Sequence, residues 1–177
     1  MLAMRKPQEP QMDVQGGSQG CGSYVPGYVP VAIDREVVNR LREFRRENLN
    51  VDLRIERAMV SSATEICLAD EEMREQLKSS TNGVLKETSP ETLQELTSRR
   101  NTAPVLIRRN VKRELRSAAG LWNLSGADET INNVMVSAAI SLMLMTERLH
   151  EKWIQLTANT VGTEVQEGFQ RGKNIRN

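Results

Sequence analysis

SGADETINNVMVSAAISLMLMTERLHEKWIQLTANT, the stretch from Ser125 to Thr160, decides the fold class. Ser125-Gly126-Ala127-Asp128 resembles a capping box with Asp in place of Glu. It opens a run in which Ala138, Leu142, Met145, Leu149, Trp153 and Leu156 recur every three or four residues. That spacing predicts one long helix from Ala127 to about Thr160, carrying an apolar seam near the coiled-coil period. Ile140, Met143, Leu144 and Ile154 widen the apolar surface. A helix greasy over so much of its circumference has to be surrounded. The other predicted helices are short and charge-rich, so the seam is expected to recruit further copies of the chain. The competing expectation is the central helix of a monomeric bundle.

Immediately upstream, Arg99, Arg100, Arg108, Arg109, Lys112, Arg113 and Arg116 face only Glu114 as a counter-charge, inside a chain of 177 residues whose net charge is +1. A helix is predicted from Val105 to Leu121. Its wheel places Arg108, Arg109, Lys112, Arg113 and Arg116 on one face, with Ile107, Val111, Leu115, Ala118 and Trp122 on another. Such a face can neutralise nucleic-acid phosphates, rest on anionic lipid or meet an acidic patch on another subunit. Asp70, Glu71, Glu72, Glu75, Glu87, Glu91 and Glu95 supply such an acidic patch within the chain itself.

Further toward the amino end, Asp34 caps a first helix, about Arg35 to Glu47, with Ile33 and Val38 as a hydrophobic staple. Ile55, Met59, Ala63, Ile66, Met73 and Leu77 form one stripe of a second helix, about Val51 to Ser79, which Asp70 can recap or bend. Thr81-Asn82-Gly83 reads as its stop signal. Ser89-Pro90-Glu91 starts a short third helix that runs to about Ser98. No segment alternates for long enough to predict a strand. The expected fold is therefore all-α: a bundle of four to five helices over residues 33–165, with one long C-terminal apolar helix.

Residues 1–32, rich in Gly, Pro, Gln and Ser, are expected to form a flexible arm. It ends in the repeat Tyr24-Val25-Pro26-Gly27 and Tyr28-Val29-Pro30, whose tyrosines Tyr24 and Tyr28 suit docking onto a neighbouring subunit. Residues 166–177 are expected to be a loose tail, since Gly162, Gly168 and Gly172 each weaken helix by about 1 kcal/mol.

One His and two Cys provide neither a disulfide framework nor a His-rich metal site, and no cofactor or metal is predicted. His150 lies at a helix edge, and no serine or cysteine has a placeable base, so an enzyme is not expected. No secretory signal is visible. Val134 to Met145, the longest apolar stretch, is well short of the ~20 residues that cross a bilayer. A cytoplasmic or virion location follows as the expectation. The expected role is a self-associating structural subunit, in the manner of a viral shell, nucleocapsid or filament. A nucleic-acid-binding module using the basic segment, and a membrane-active or secreted helical factor, are the alternatives.

Overall fold

The computed structural model describes residues 25–49, 53–98 and 100–174. The chain is mostly helical, but it is organised by a two-stranded antiparallel sheet. The strands are β1 (Tyr28–Asp34) and β2 (Thr102–Arg108). The helices are α1 (Arg35–Asn48), α2 (Leu53–Ala69), α3 (Glu71–Glu87), α4 (Pro90–Leu96), α5 (Arg109–Leu121), α6 (Asp128–Met145) and α7 (His150–Asn174).

The sheet exists because each strand alternates. Val31, Ile33, Val105 and Ile107 are buried, while Pro30 and Pro104, on the opposite face, are exposed. This alternation gives a ribbon with one core face. Proline is tolerated because both strands of a two-stranded sheet are edges, where a missing N–H breaks no ladder bond. The outward N–H groups are covered by helices: Ala32 N donates to Asn133 Oδ1 (3.3 Å), Asp34 N to Ser137 Oγ (3.1 Å) and Arg108 N to Ser61 Oγ (3.0 Å).

Those last two bonds are equivalent, because the chain repeats itself. Pro30, Val31, Ile33, Arg35, Val37, Leu41 and Arg42 recur in order as Pro104, Val105, Ile107, Arg109, Val111, Leu115 and Arg116. After a longer connection in the second copy, Ile55, Met59-Val60-Ser61 and Ala63 recur as Ile131, Met135-Val136-Ser137 and Ala139. Val31 faces Val105, its own counterpart, so a pseudo-two-fold axis passes between them. The packing obeys the same symmetry. α2 lies against β2 and α7, as α6 lies against β1 and α3, and α2 meets α6 across the axis.

Three expectations are corrected. Val105 to Arg108 is strand, not the start of a helix, because Val105 and Ile107 gain a partner in Val31 and Ile33, which reverses the local reading. The long helix of Ala127 to Thr160 is broken at Thr146 and a 3-10 turn, Glu147–Leu149. Thr146 Oγ1 donates to Leu142 O (2.7 Å) and the His150 ring nitrogen Nε2 lies 2.9 Å from Met143 O, so side chains satisfy carbonyls that the break leaves open. The bend turns Trp153 into the core, where Nε1 donates to Met59 O at 3.0 Å and the ring stacks on Phe44 at 5.0 Å. Thr81-Asn82-Gly83 does not stop α3, which runs on to Glu87 with Thr81 buried. A single helical Gly costs only about 1 kcal/mol, less than the packing of α3 on α6 returns.

Asp70 does recap the second stripe, accepting from Met73 N at 3.0 Å and dividing it into α2 and α3. Residues 28–32 of the expected arm are strand β1, whereas 1–24, including Tyr24, lie outside the described residues. Helix α7 continues to Asn174 through most of the segment read as a loose tail.

The repeat makes a test of the fold. Ile33→Ala and Ile107→Ala, which delete equivalent fully buried side chains, are each expected to destabilise the chain by about 2–5 kcal/mol in urea unfolding. A change at either one below about 1 kcal/mol would contradict the shared core.

Candidate nucleic-acid interface

The middle of the ribbon's outer face is apolar. Pro30 and Pro104 are exposed, Ala32 and Leu106 are half-buried, and none offers a side-chain donor or acceptor. Each strand runs directly into a helix beginning with arginine, Arg35 after β1 and Arg109 after β2. Lys112 brings a further cation to the ribbon, its Nζ lying 3.5 Å from Pro30 O.

The structure divides the basic segment. Arg109, Arg113 and Arg116 are exposed on α5 and Lys112 is half-buried. None of the four makes an ion pair among the described residues. Arg108 differs: it turns to α2 and pairs with Glu65 at 2.5 Å. Burial raises the Glu65 carboxyl above its ordinary value, against the opposing pull of Arg108. The counterpart helix α1 carries arginines that are already engaged, with Arg42 and Arg45 3.0 and 3.1 Å from Glu56.

Tyr28 is buried at the end of the ribbon rather than free to dock elsewhere. Its hydroxyl donates to Glu164, Arg57 pairs with the same carboxylate at 2.6 Å, and the Arg57 guanidinium lies 4.8 Å over the Tyr28 ring. Burial first, and then the bond to Glu164, push the phenol well above its ordinary value.

At the pseudo-symmetric end of the ribbon this cluster has no equivalent. Asn133, Ser137 and Thr102 hold the repeat positions of Arg57, Ser61 and Tyr28, and a groove of about 350 Å³ opens there. Val84, Leu96 and Met145, at 38%, 43% and 63% exposure, all line it. The expected association seam is thereby split. Ala138, Leu142 and Met145 line this groove, Leu149 and Trp153 are buried within the chain, and Leu156 is half-buried against the core.

Comparison with protein-family models, curated proteins and solved structures found no match. Among the described residues no three His, Cys, Asp or Glu side chains converge to hold a metal ion. No described helix is long and apolar enough to cross a membrane. The feature that sequence reading missed is the ribbon. Its signal was present in the paired motifs Pro-Val-x-Ile and Met-Val-Ser-x-Ala, each occurring once in both halves.

Two buried groups give the molecule a predicted alkaline limit. Burial, with a smaller contribution from the Asp70 charge, pushes the Cys67 thiol up to about 12, and the Tyr28 phenol is raised as well. A raised folded-state value means stability is intact below the unfolded value and is lost as pH climbs toward the folded one. The melting temperature is expected to fall progressively from about pH 9 upward, where unfolded thiols and then phenols ionise. Cys67→Ala should flatten the lower part of that fall and Tyr28→Phe the upper part. A melting profile level to about pH 11 would contradict both assignments.

Proposed function

We propose that this chain binds double-stranded DNA, with the ribbon turned toward the major groove and α5 lying along the phosphates. The observation that carries the reading is the set of uncompensated cations Arg109, Lys112, Arg113 and Arg116 beside the end of an exposed two-stranded ribbon. A major groove about 12 Å wide admits such a ribbon, and two-fold proteins match two-fold sites on duplex DNA. The deep, narrow major groove of duplex RNA does not admit one, which favours DNA.

The residue types also bear on specificity. Phosphate contacts fix position, whereas base-edge bonds specify sequence. Pro30, Ala32, Pro104 and Leu106 offer base edges only apolar contact, such as Ala or Leu against a thymine methyl. The proposed binding is therefore dominated by the backbone and weakly selective. Because α1 spends Arg42 and Arg45 on Glu56, the two halves contribute unequally, and α5 carries most of the phosphate contact.

Fluorescence anisotropy with duplex DNA over about 50–200 mM salt tests this. The affinity should fall steeply with salt. The joint variant Arg109→Gln, Lys112→Gln, Arg113→Gln and Arg116→Gln should shallow the log–log slope by about 3–4, at about 0.9 for each phosphate that is no longer neutralised. Scrambling the DNA sequence should change affinity by less than about tenfold. Absence of binding at the lowest salt would overturn the proposal.

A second reading, self-association, is favoured by one observation: three exposed large apolar side chains converge on one groove. A closed two-copy contact would place that patch against itself. Sedimentation up to about 100 μM is expected to reveal a dimer. Leu96→Glu with Met145→Glu should abolish it without loss of helicity. A wild-type chain that stays monomeric throughout would remove this reading.

A further inference from the structure

The groove of about 350 Å³ beside Asp34 and Thr102 lies where the second half of the molecule is cut short. The repeat extends to the third helix of each half. Buried Leu77 and Thr81 of α3 are the counterparts of buried Trp153 and Thr157 of α7, at the sequence separation that relates Ile55 to Ile131. By that register Glu87, where α3 ends, matches Thr163, yet α7 continues to Asn174. The second half therefore lacks the final turns of its third helix. Short helix α4 stands there instead, and Val84 from α3, Leu96 from α4 and Met145 from α6 stay exposed around the groove.

The lining defines what fits. Val37, Leu93 and Leu142 join those three to make it apolar, and Asp34 is its one charged residue among the described residues. Glu87, exposed, shares a face of α3 with Val84 and Ser80, three and seven residues back. Neither carboxylate makes an ion pair among the described residues. The neighbouring Arg35 is already engaged, its Nη2 donating to Thr102 O at 3.1 Å. A matching occupant is a short apolar run followed by positive charge. The chain carries one such segment ahead of Val25. Met1-Leu2-Ala3-Met4 is the only run of four apolar residues there, and Arg5 and Lys6 are the only cations.

We infer that residues 1–6 dock in this groove of their own chain, with Leu2 and Met4 among Leu93, Leu96 and Met145, and Arg5 and Lys6 toward Asp34 and Glu87. Methionine suits a shallow apolar groove because its unbranched, polarisable side chain adapts to irregular gaps. Reach permits the contact. β1 carries the chain from Tyr28 to Asp34, about 20 Å for seven residues of strand. The eighteen residues from Pro7 to Tyr24 extend to at most about 60 Å. A free coil of that length averages about 23 Å end to end. Span and tether match, the condition under which effective concentration is highest, of order mM.

Docking of residues 1–6 does not require the dimer of the second reading. The segment and a second copy are alternative occupants of one groove, so the docked segment has to leave before two patches meet. A fluorescent peptide carrying residues 1–8 tests the docking when titrated into the full chain with a disabled tip, Leu2→Glu with Met4→Glu. Anisotropy is expected to show saturable binding with Kd of about 0.1 mM or tighter. The wild-type chain should bind the peptide about tenfold more weakly, because its own tip competes at the tethered concentration. Adding Leu96→Glu and Met145→Glu, exposed changes that should leave the helical signal intact, should remove binding. A peptide with Arg5→Gln and Lys6→Gln should bind about threefold more weakly at low salt, a difference that narrows as salt rises. In sedimentation the tip variant should dimerise at about tenfold lower concentration than the wild type.

Three results overturn the docking: no binding to the tip variant up to about 1 mM peptide, binding that survives the two glutamates in the groove, or equal binding to the wild type and the tip variant. A tip variant that dimerises less readily than the wild type would place the segment in a partner's groove and likewise overturn it. If the peptide binds the tip variant as expected and neither chain dimerises, the docking stands and the self-association reading alone falls.

Discussion

The pairing of β1 with β2 is the constraint on which the rest of the molecule depends. Neither strand is stable alone, because a lone strand or an unsupported hairpin buries too little apolar surface in water. Joined in antiparallel register with Val31 opposite Val105, they place Val31, Ile33, Val105 and Ile107 on one face. Helices α2 and α6 then close over that face, and their Ser61 and Ser137 hydroxyls complete the backbone bonding at the edges. The symmetry of the ribbon is thereby passed to the helices.

Much of the helical content was legible residue by residue. Asp34 capping α1, Ser89 capping α4 and Asp70 dividing α2 from α3 are local events, governed by side chains within three residues of the N–H groups they satisfy. What was not legible depended on partners distant in the chain. Thr102 to Arg108 holds an unbroken apolar run, Ala103 to Ile107, whose lack of periodicity does not tell strand from helix, and only β1, some seventy positions earlier, makes it a strand. The break at Thr146 has no Pro or Gly to announce it; it follows from the need of Trp153 to reach Met59 and Phe44. The apolar excess of the segment from Ala127 to Thr160 raised the expectation of self-association, with the central helix of a monomeric bundle as its rival. Much of the surround of α6 is the first copy of the repeat within the same chain, through β1, α2 and α3.

The candidate sites arise where the two copies have diverged. At one end of the ribbon, Tyr28, Arg57 and Glu164 form a hydrogen-bonded, ion-paired cluster beside a cavity of about 490 Å³, while the other end holds smaller residues and an apolar groove of about 350 Å³. Where α1 meets α2, Arg42 and Arg45 share the Glu56 carboxylate, while where α5 meets α6, Arg116 has no ion pair among the described residues and the buried Asn132 amide has no hydrogen-bond partner. Two identical chains related by a true two-fold cannot make such distinctions, because every substitution appears twice. Within a single polypeptide one copy can hold the fold while the other is altered.

That economy exposes the nascent chain. Ribosomes deliver roughly 5–20 residues per second, so β1 emerges several seconds before β2 is available. During that interval its alternating apolar edge is an unclaimed template, open to the β2 of any completed or neighbouring polypeptide. The intact geometry is the same whether the strand comes from its own chain or from another, so exchange between chains is the characteristic hazard of this architecture during synthesis and refolding.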